Sequence, residues 1–162
     1  MLETWTISKI EATNLWARCC EGVDLHAAFG PGTRADKPPG EWWAELYDGE
    51  TVGMLWGTRW VRADNGDALV VGQGRAMLPQ FRGQHRLPVG STRIILDAVW
   101  AAFPSAKTII AAVFSTNSQS THLHAKFKHP EIGRIPAGER DLVIYLIETR
   151  ENANGSDSSV TE

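Results

Sequence analysis

The sequence predicts an α+β protein with one mixed sheet, made of an antiparallel meander and a parallel strand pair and flanked by helices. Three apolar runs follow one another with turn residues between them, which is a strong local hairpin signal. The third run leads through a short basic turn into an amphipathic helix and then into another buried strand. A crossover through a single helix joins parallel strands, so the meander is followed by a parallel pair.

Size and composition limit the kind of protein this is. The chain has 162 residues, of which 43% are hydrophobic, enough for one well-buried core and short for two. We therefore expect one domain over residues 1–149 and a polar, disordered tail over residues 150–162. No apolar run nears the roughly 20 residues that cross a bilayer, and the first residues lack the layout of a signal peptide. These features predict a cytoplasmic protein with no membrane partner.

The N-terminal part is expected to hold a helix and a long loop. The spacing of apolar residues predicts a helix over Ile7–Cys20, with Gly22 ending it. Cys19 and Cys20 are neighbours on that helix, where side chains diverge, so they are interpreted as packing residues and not as a disulfide or a metal site. The Gly- and Pro-rich segment Phe29–Gly40 is a loop, either a cover for a substrate or a surface excursion.

The meander consists of the strands Trp42–Tyr47, Thr51–Val61 and Ala68–Leu78, with Asp48-Gly49 as the first turn. Four tryptophans lie in the first two strands, and large amphipathic rings of this kind either wall a pocket or fill a core. Core filling is the favoured interpretation. These residues are Trp42, Trp43, Trp56 and Trp60.

The second half continues with alternating helices and strands. A helix over about Pro88–Phe103 precedes a buried strand, Thr108–Phe114. The polar triplet Ser115–Asn117 opens the next helix, which runs to about Lys126. A last strand, Asp141–Glu148, is expected to close the sheet.

Polar residues stand out in the strand Ala68–Leu78. Alternation puts Gln73 and Arg75 on one face of this central strand, where they are candidate substrate-binding residues. An unpaired buried arginine is costly, so Arg75 either pairs with an acid such as Glu45 or meets an anionic ligand group. Glu45 is a weak candidate for a general base, and the alternative is a solvated carboxylate at a sheet edge.

The histidines do not predict a metal site. His122 and His124 are two residues apart on the predicted helix and point to nearly opposite faces, and no cysteine or carboxylate pair at ligand spacing accompanies them. His26 and His129 are expected to be exposed loop residues. No metal is therefore predicted.

The basic turn after the third strand has the features of an anion site. Unpaired N–H groups at a helix start, together with nearby arginines, bind phosphate, and Pro88 suits a first helical turn. Strand–turn–helix junctions with one arginine are common, so the turn alone is a weak signal.

The order of elements and three local matches resemble the GNAT superfamily of acyl-CoA-dependent N-acyltransferases. Pro79–Gln84 is similar to the start of the pyrophosphate loop after that family's fourth strand. Asn117–Phe127 is similar to its helix with an Asn, a small residue and a Lys before an aromatic, and Glu131–Pro136 is similar to its following strand. The matches span roughly residues 42 to 147.

The resemblance implies a bound acyl-CoA, such as acetyl-CoA, in the splay between the strands Ala68–Leu78 and Thr108–Phe114. The backbone at the end of the strand Ala68–Leu78 pairs with pantetheine, and the following loop surrounds the pyrophosphate. Asn117 either forms a hydrogen bond to pantetheine or to a water, or caps its helix. The implied cofactor-binding residues are Met77, Leu78, Arg82, Gly83, Gln84, His85, Arg86, Leu87 and Asn117.

Two departures from the family pattern affect the implied function. His85 and Leu87 stand where the family usually has glycines, which narrows the loop or weakens its phosphate contact. His124 replaces a frequent tyrosine that protonates the leaving thiolate, and histidine donates a proton near neutral pH.

The implied function is acyl transfer from acyl-CoA to a primary amine by direct attack, without a covalent enzyme intermediate. A backbone N–H of the fourth family strand stabilises the oxyanion. The acceptor is a small-molecule or peptide amine, and the oligomeric state is open, with a homodimer as one option. One alternative is a GNAT-fold binding or regulatory module without turnover. Another is a phage-type nucleic-acid base modifier, which the net charge of −3 disfavours.

Overall fold

The computed structural model describes residues 1–83 and 93–151. Within them the strands are β1 (Leu2–Thr6), β2 (Glu41–Tyr47), β3 (Glu50–Arg62), β4 (Ala68–Met77), β5 (Thr108–Phe114), β6 (Glu131–Ala137) and β7 (Arg140–Thr149). The helices are α1 (Lys9–Cys19), α2 (Leu25–Phe29), α3 (Arg93–Ala102) and α4 (Ser118–Lys126). The strands form a mixed sheet in the order β1-β2-β3-β4-β5-β7-β6, which confirms the predicted fold class.

The chain divides into two compact units. The first comprises Met1–Thr58 and Gln73–Ala102, and the second comprises Arg59–Gly72 and Phe103–Glu162. The expected single domain over residues 1–149 stays a prediction. No helix in the described ranges is long and apolar enough to span a membrane.

Helix α1 and the β2–β3 hairpin form the core of the first unit. Ser8 and Glu11 make a capping box at the start of α1, in which each residue's backbone N–H donates to the other's side chain. Asp48 and Gly49 both have positive φ, as a two-residue hairpin turn requires, so the predicted turn is confirmed. One face of α1 packs against the hairpin and the end of β4, in a core that contains Leu15, Trp16, Cys19, Cys20, Ala44, Val52, Met54, Trp56, Ala76, Leu78 and Phe81.

Both cysteines are free and buried in that core, as their position on the helix predicted. Burial raises the pKa of Cys19 to about 12 and that of Cys20 to about 11. Both groups therefore remain protonated thiols at neutral pH, which makes them poor nucleophiles and poor metal ligands.

An aromatic cluster in the first unit lies against a glycine of β4. The ring centroid of Trp56 lies 5.2 Å from that of Trp16 and 5.8 Å from that of Phe29. The same indole covers Gly74, where a Cβ would come within 2.0 Å of the ring. The indole of Trp56 packs directly on the backbone of β4 at this position. Glycine is therefore required there, because any side chain would overlap the ring.

The second unit contains the parallel strand pair. Val70, Val71 and Gly72 of β4 pair in parallel with Thr108, Ile109 and Ile110 of β5. Strand β7 pairs antiparallel with both β5 and β6. The expectation that the last strand closes the sheet is wrong, because β7 lies inside it and β6 forms the edge.

Several other elements differ from the sequence prediction. Strand β1 and helix α2 were not predicted, and His26 lies in α2 rather than in a loop. Trp43 and Trp56 are buried as expected, but Trp60 is 40% exposed, so core filling is wrong for that ring. The start of the predicted helix Pro88–Phe103 and most of the predicted tail lie outside the described residues.

Candidate active site

The chain leaves β4 through a short turn in which the predicted pantetheine contacts begin. Leu78 is buried and its N–H donates to the carbonyl of Val52 at 2.9 Å, while its own carbonyl accepts from the N–H of Phe81. A single 3-10 turn, Pro79–Phe81, follows, and the Phe81 ring packs into the core. The N–H of Leu78 is therefore used within the protein, which leaves Met77 as the better candidate for a backbone contact to a ligand.

Gly83, which follows Arg82 in the predicted phosphate loop, has a left-handed conformation. Its φ is +71°, and none of the residues that the structure describes lies within 4 Å of the place where a Cβ would be. The backbone there is open on its outer side, which suits the approach of a ligand, while a side chain would be strained. The remaining predicted loop residues, Gln84, His85, Arg86 and Leu87, lie outside the described residues.

Arg82 does not extend away from the protein as a phosphate ligand would. Its two terminal nitrogens donate to the carbonyls of Glu21 and Cys19, each at 2.8 Å. These carbonyls lie at the C-terminal end of α1, where backbone acceptors are unpaired and a positive charge is favourable. In this conformation Arg82 connects the turn after β4 to α1, and its predicted contact with pyrophosphate would require it to leave these bonds.

Replacing Arg82 with alanine is expected to lower the free energy of unfolding by about 2 kcal/mol, since two hydrogen bonds from a charged donor are lost. Urea unfolding followed by tryptophan fluorescence measures this. Arg62→Ala is the matched control, because Arg62 is exposed at the end of β3. Unchanged stability in Arg82→Ala, with weakened acyl-CoA binding, would instead favour the phosphate contact predicted from the sequence.

Arg75 of β4 pairs with an acid from β2, which is the first of the two alternatives that the sequence left open. Nε of Arg75 lies 2.8 Å from Oε2 of Glu45. The Glu45 side chain is fully buried and that of Arg75 is 19% exposed. Gln73, two residues before Arg75, is half-buried. The predicted substrate-binding role of Gln73 and Arg75 stays a prediction.

The sequence left two roles for Glu45, a general base or a solvated carboxylate at a sheet edge. The structure excludes the second. Glu45 lies on β2, which is paired on both sides, and none of its surface is exposed. Burial raises the pKa of Glu45, and the Arg75 guanidinium opposes this shift. Among the described residues, Oε1 of Glu45 has no hydrogen-bond partner. A carboxylate without accessible surface cannot touch an amine, so the geometry favours a role in holding Arg75.

The second unit carries the predicted residues of α4. Oδ1 of Asn117 accepts from the N–H of Ser120 at 3.2 Å, so this residue caps the helix. His124 is half-buried, and its ring stacks on Tyr145 of β7 with centroids 4.5 Å apart. Burial, assisted by the charge of His129, lowers the pKa of His124 to about 4. A pKa this low favours a neutral ring at pH 7, whose N–H can donate a hydrogen bond. The catalytic role expected for His124 stays a prediction.

His129 is a neighbour of the site that the sequence did not indicate. It was expected to be exposed, but it is half-buried and its Nδ1 lies 2.9 Å from Nδ1 of His124. Lys128 has a φ of +56° and turns the chain back at the end of α4, so that the N–H of His129 donates to the carbonyl of His124. A glycine is usual at such a left-handed helix end. Because Lys128 stands there instead, the sequence did not indicate that the chain turns back at this point.

The strand order, with a parallel β4–β5 pair and β7 inserted before β6, is the fold of the GNAT superfamily. No family model and no curated protein matches the sequence. Solved structures do match. The aminoglycoside acetyltransferase AAC(6')-Ib, in complex with coenzyme A and kanamycin, is 14% identical, with a TM-score of 0.69 and coverage of 98% of this chain and 100% of that one.

Two further structures have the same fold. A GCN5-related N-acetyltransferase from Kribbella flavida is 17% identical with a TM-score of 0.61, over 90% of this chain and 96% of that one. The yncA protein of Salmonella typhimurium, solved with its cofactor acetyl-CoA, is 15% identical with a TM-score of 0.58, over 90% and 92% of the two chains. At these identities the similarity establishes the fold alone.

Proposed function

We propose that this protein is an N-acyltransferase that moves an acetyl or similar acyl group from acyl-CoA to a primary amine. The observation that carries the proposal is a fold match that extends over 98% of this chain to an acetyltransferase solved with coenzyme A. The motif residues support it, since Gly83 has a left-handed conformation in the segment after β4, beyond the 3-10 turn Pro79–Phe81. The acceptor is a small-molecule or peptide amine.

The roles of this chain's residues follow from their surroundings. Met77 and the backbone of Gly83 bind acyl-CoA, while Arg82 holds the turn against α1 through the carbonyls of Cys19 and Glu21. A neutral His124 donates a hydrogen bond to the sulfur that leaves, because its depressed pKa keeps the imidazolium unpopulated at pH 7. Asn117 fixes the start of α4 and thereby the helix that carries His124.

The reaction needs no enzyme-bound acyl group. The amine nitrogen bonds to the thioester carbonyl carbon, the carbon–sulfur bond breaks, and the electron pair stays on sulfur. The nitrogen loses one proton to solvent and the sulfur gains one. A backbone N–H of β4 that points to the carbonyl oxygen would stabilise the charge that develops there. Because Glu45 is fully buried, proton removal is assigned to solvent and not to this carboxylate.

The proposal predicts that the full chain binds acetyl-CoA with micromolar affinity and releases free thiol when a primary amine is added. Calorimetric titration measures the first, and a thiol-release assay with kanamycin and with a lysine-containing peptide measures the second.

His124→Phe keeps an aromatic ring against Tyr145 but loses the N–H. We expect it to lower kcat by about tenfold or more and to leave acetyl-CoA affinity unchanged.

The outcomes separate the alternatives. Binding without thiol release for any amine would favour a GNAT-fold module that lacks turnover. A complete absence of acetyl-CoA binding would contradict the proposal. His122→Phe is the matched control, since His122 lies on the same helix and is exposed.

A further inference from the structure

The two histidines at the end of α4 form a pair that the proposed reaction does not by itself require. Nδ1 of His124 and Nδ1 of His129 are 2.9 Å apart, which is hydrogen-bonding distance, so one of the two nitrogens carries a hydrogen and the other accepts it. The rings are tilted by 49° and are not parallel. One ring nitrogen of each histidine is thus occupied by the other histidine.

The surroundings hold the pair from three sides. Tyr145 of β7 stacks on His124 with an interplanar angle of 13°. The ring of Phe127 lies 6.0 Å from that of His129. The main chain closes the turn, because the N–H of His129 donates to the carbonyl of His124 at 3.0 Å. The His124 ring therefore has little freedom to rotate.

Burial and not a neighbouring carboxylate sets the pKa values of the pair. Glu131 of β6 lies opposite Tyr145 in the sheet register and is paired with Arg134, so its charge is already compensated. Burial lowers the pKa of both histidines, and the charge of His129 adds to this effect at His124. Two neutral imidazoles share a single N–H between their Nδ1 atoms, so the tautomers are coupled: the ring that donates from Nδ1 has no hydrogen on Nε2, and the ring that accepts at Nδ1 carries its hydrogen on Nε2.

We propose that His129 is a positioning residue for His124, donating its Nδ1–H to Nδ1 of His124 so that the hydrogen of His124 resides on Nε2. This inference rests on the proposed function, in which His124 donates a hydrogen bond to the leaving sulfur. In the opposite arrangement Nε2 of His124 would carry a lone pair and would repel a thiolate. His129 thereby sets the direction of the hydrogen bond that His124 offers.

Nitrogen-15 NMR of the imidazoles in the full chain, combined with acyl-transfer kinetics, tests the inference. In the wild type we expect the hydrogen on Nε2 of His124 and on Nδ1 of His129. His129→Leu removes the donor, so His124 should exchange between tautomers. Its pKa should rise, because a protonated His129 no longer opposes protonation of His124. We expect kcat to fall about tenfold with the KM for acetyl-CoA within about twofold of the wild type.

His129→Gln retains an N–H donor and should restore the tautomer and most of kcat, a recovery that a merely structural role would not predict. His122→Leu, on the exposed side of α4, is the control and should change neither readout. A wild-type His124 with its hydrogen on Nδ1, or an unchanged tautomer and kcat in His129→Leu, would overturn the inference. Failure of the wild type to acylate any amine would overturn the proposed function, whereas the NMR readout does not depend on turnover and so separates the two failures.

Discussion

Replacing Arg75 with methionine is expected to lower the free energy of unfolding at neutral pH by about 3–5 kcal/mol, because it leaves a buried carboxylate without its ion-pair partner. Glu45 is fully buried, its Oε2 accepts from Nε of Arg75 at 2.8 Å, and its Oε1 has no partner among the described residues. Methionine keeps most of the side-chain volume, so the loss reports the charge and not a cavity. Urea unfolding, followed by the tryptophans of the first unit, measures it.

The pH dependence gives this prediction a second test. Burial raises the pKa of Glu45 above its ordinary value, so its contribution to stability is fully present below the ordinary carboxyl pKa and is lost as pH rises through the raised value. In Arg75→Met the opposing guanidinium is gone and the pKa should rise further. The destabilisation should therefore be smaller at about pH 4 than at neutral pH.

The double variant Glu45→Met/Arg75→Met is the control. Once both charges are removed, well-packed apolar side chains of similar volume are often as stable as the original pair. We expect the double variant to recover most of the stability lost in Arg75→Met. Equal losses in the single and double variants at every pH would contradict an electrostatic origin and point to packing alone.

Patterns local to the chain predicted the sheet and the ion pair. The Asp48-Gly49 turn has the residue types that positive φ requires, and the strands on either side follow it directly. The pairing of Arg75 with Glu45 was one of the two predicted alternatives, because an unpaired buried arginine in a central strand is costly. These inferences depend on periodicity and on the cost of buried charge, both of which are readable without coordinates.

The candidate site was less predictable because its contacts join segments that are distant or irregular. Arg82 reaches carbonyls 61 and 63 residues earlier in the chain, and backbone carbonyls leave no sequence signal. His129 meets His124 because Lys128 adopts a left-handed conformation that sequence reasoning assigns to glycine. The family resemblance indicated which segments matter, but the role of each side chain depended on these contacts.

The number of tryptophans likewise predicted that their rings fill the core, but not which residues each ring contacts. Trp56 was expected in the core, and it lies there, with its ring over the bare strand backbone at Gly74. A glycine in a central strand ordinarily weakens it, so its presence in β4 is explained by the ring above it. The same pairing recurs in the second unit, where a Cβ on Gly72 would come within 2.3 Å of the Trp60 indole.

We expect Gly74→Ala to lower the free energy of unfolding by about 3 kcal/mol, since the added methyl group would overlap Trp56. The ideal Cβ position lies 2.0 Å from Cε2 and 2.2 Å from Nε1 of that ring. The ring cannot move freely, because Trp16 and Phe29 pack against it in the core of the first unit. Denaturant unfolding measures the loss, and a red shift of tryptophan fluorescence would report displacement of the indole.

Gly133→Ala is the matched control, because Gly133 also lies in a strand but no atom of residues 1–83 or 93–151 lies within 4 Å of its Cβ position. It should leave stability within about 0.5 kcal/mol of the wild type. In a Trp56→Leu background the alanine at position 74 has room, so the cost of Gly74→Ala should fall by more than half. An equal cost in both backgrounds would mean that the strand backbone, and not the indole, requires glycine at this position.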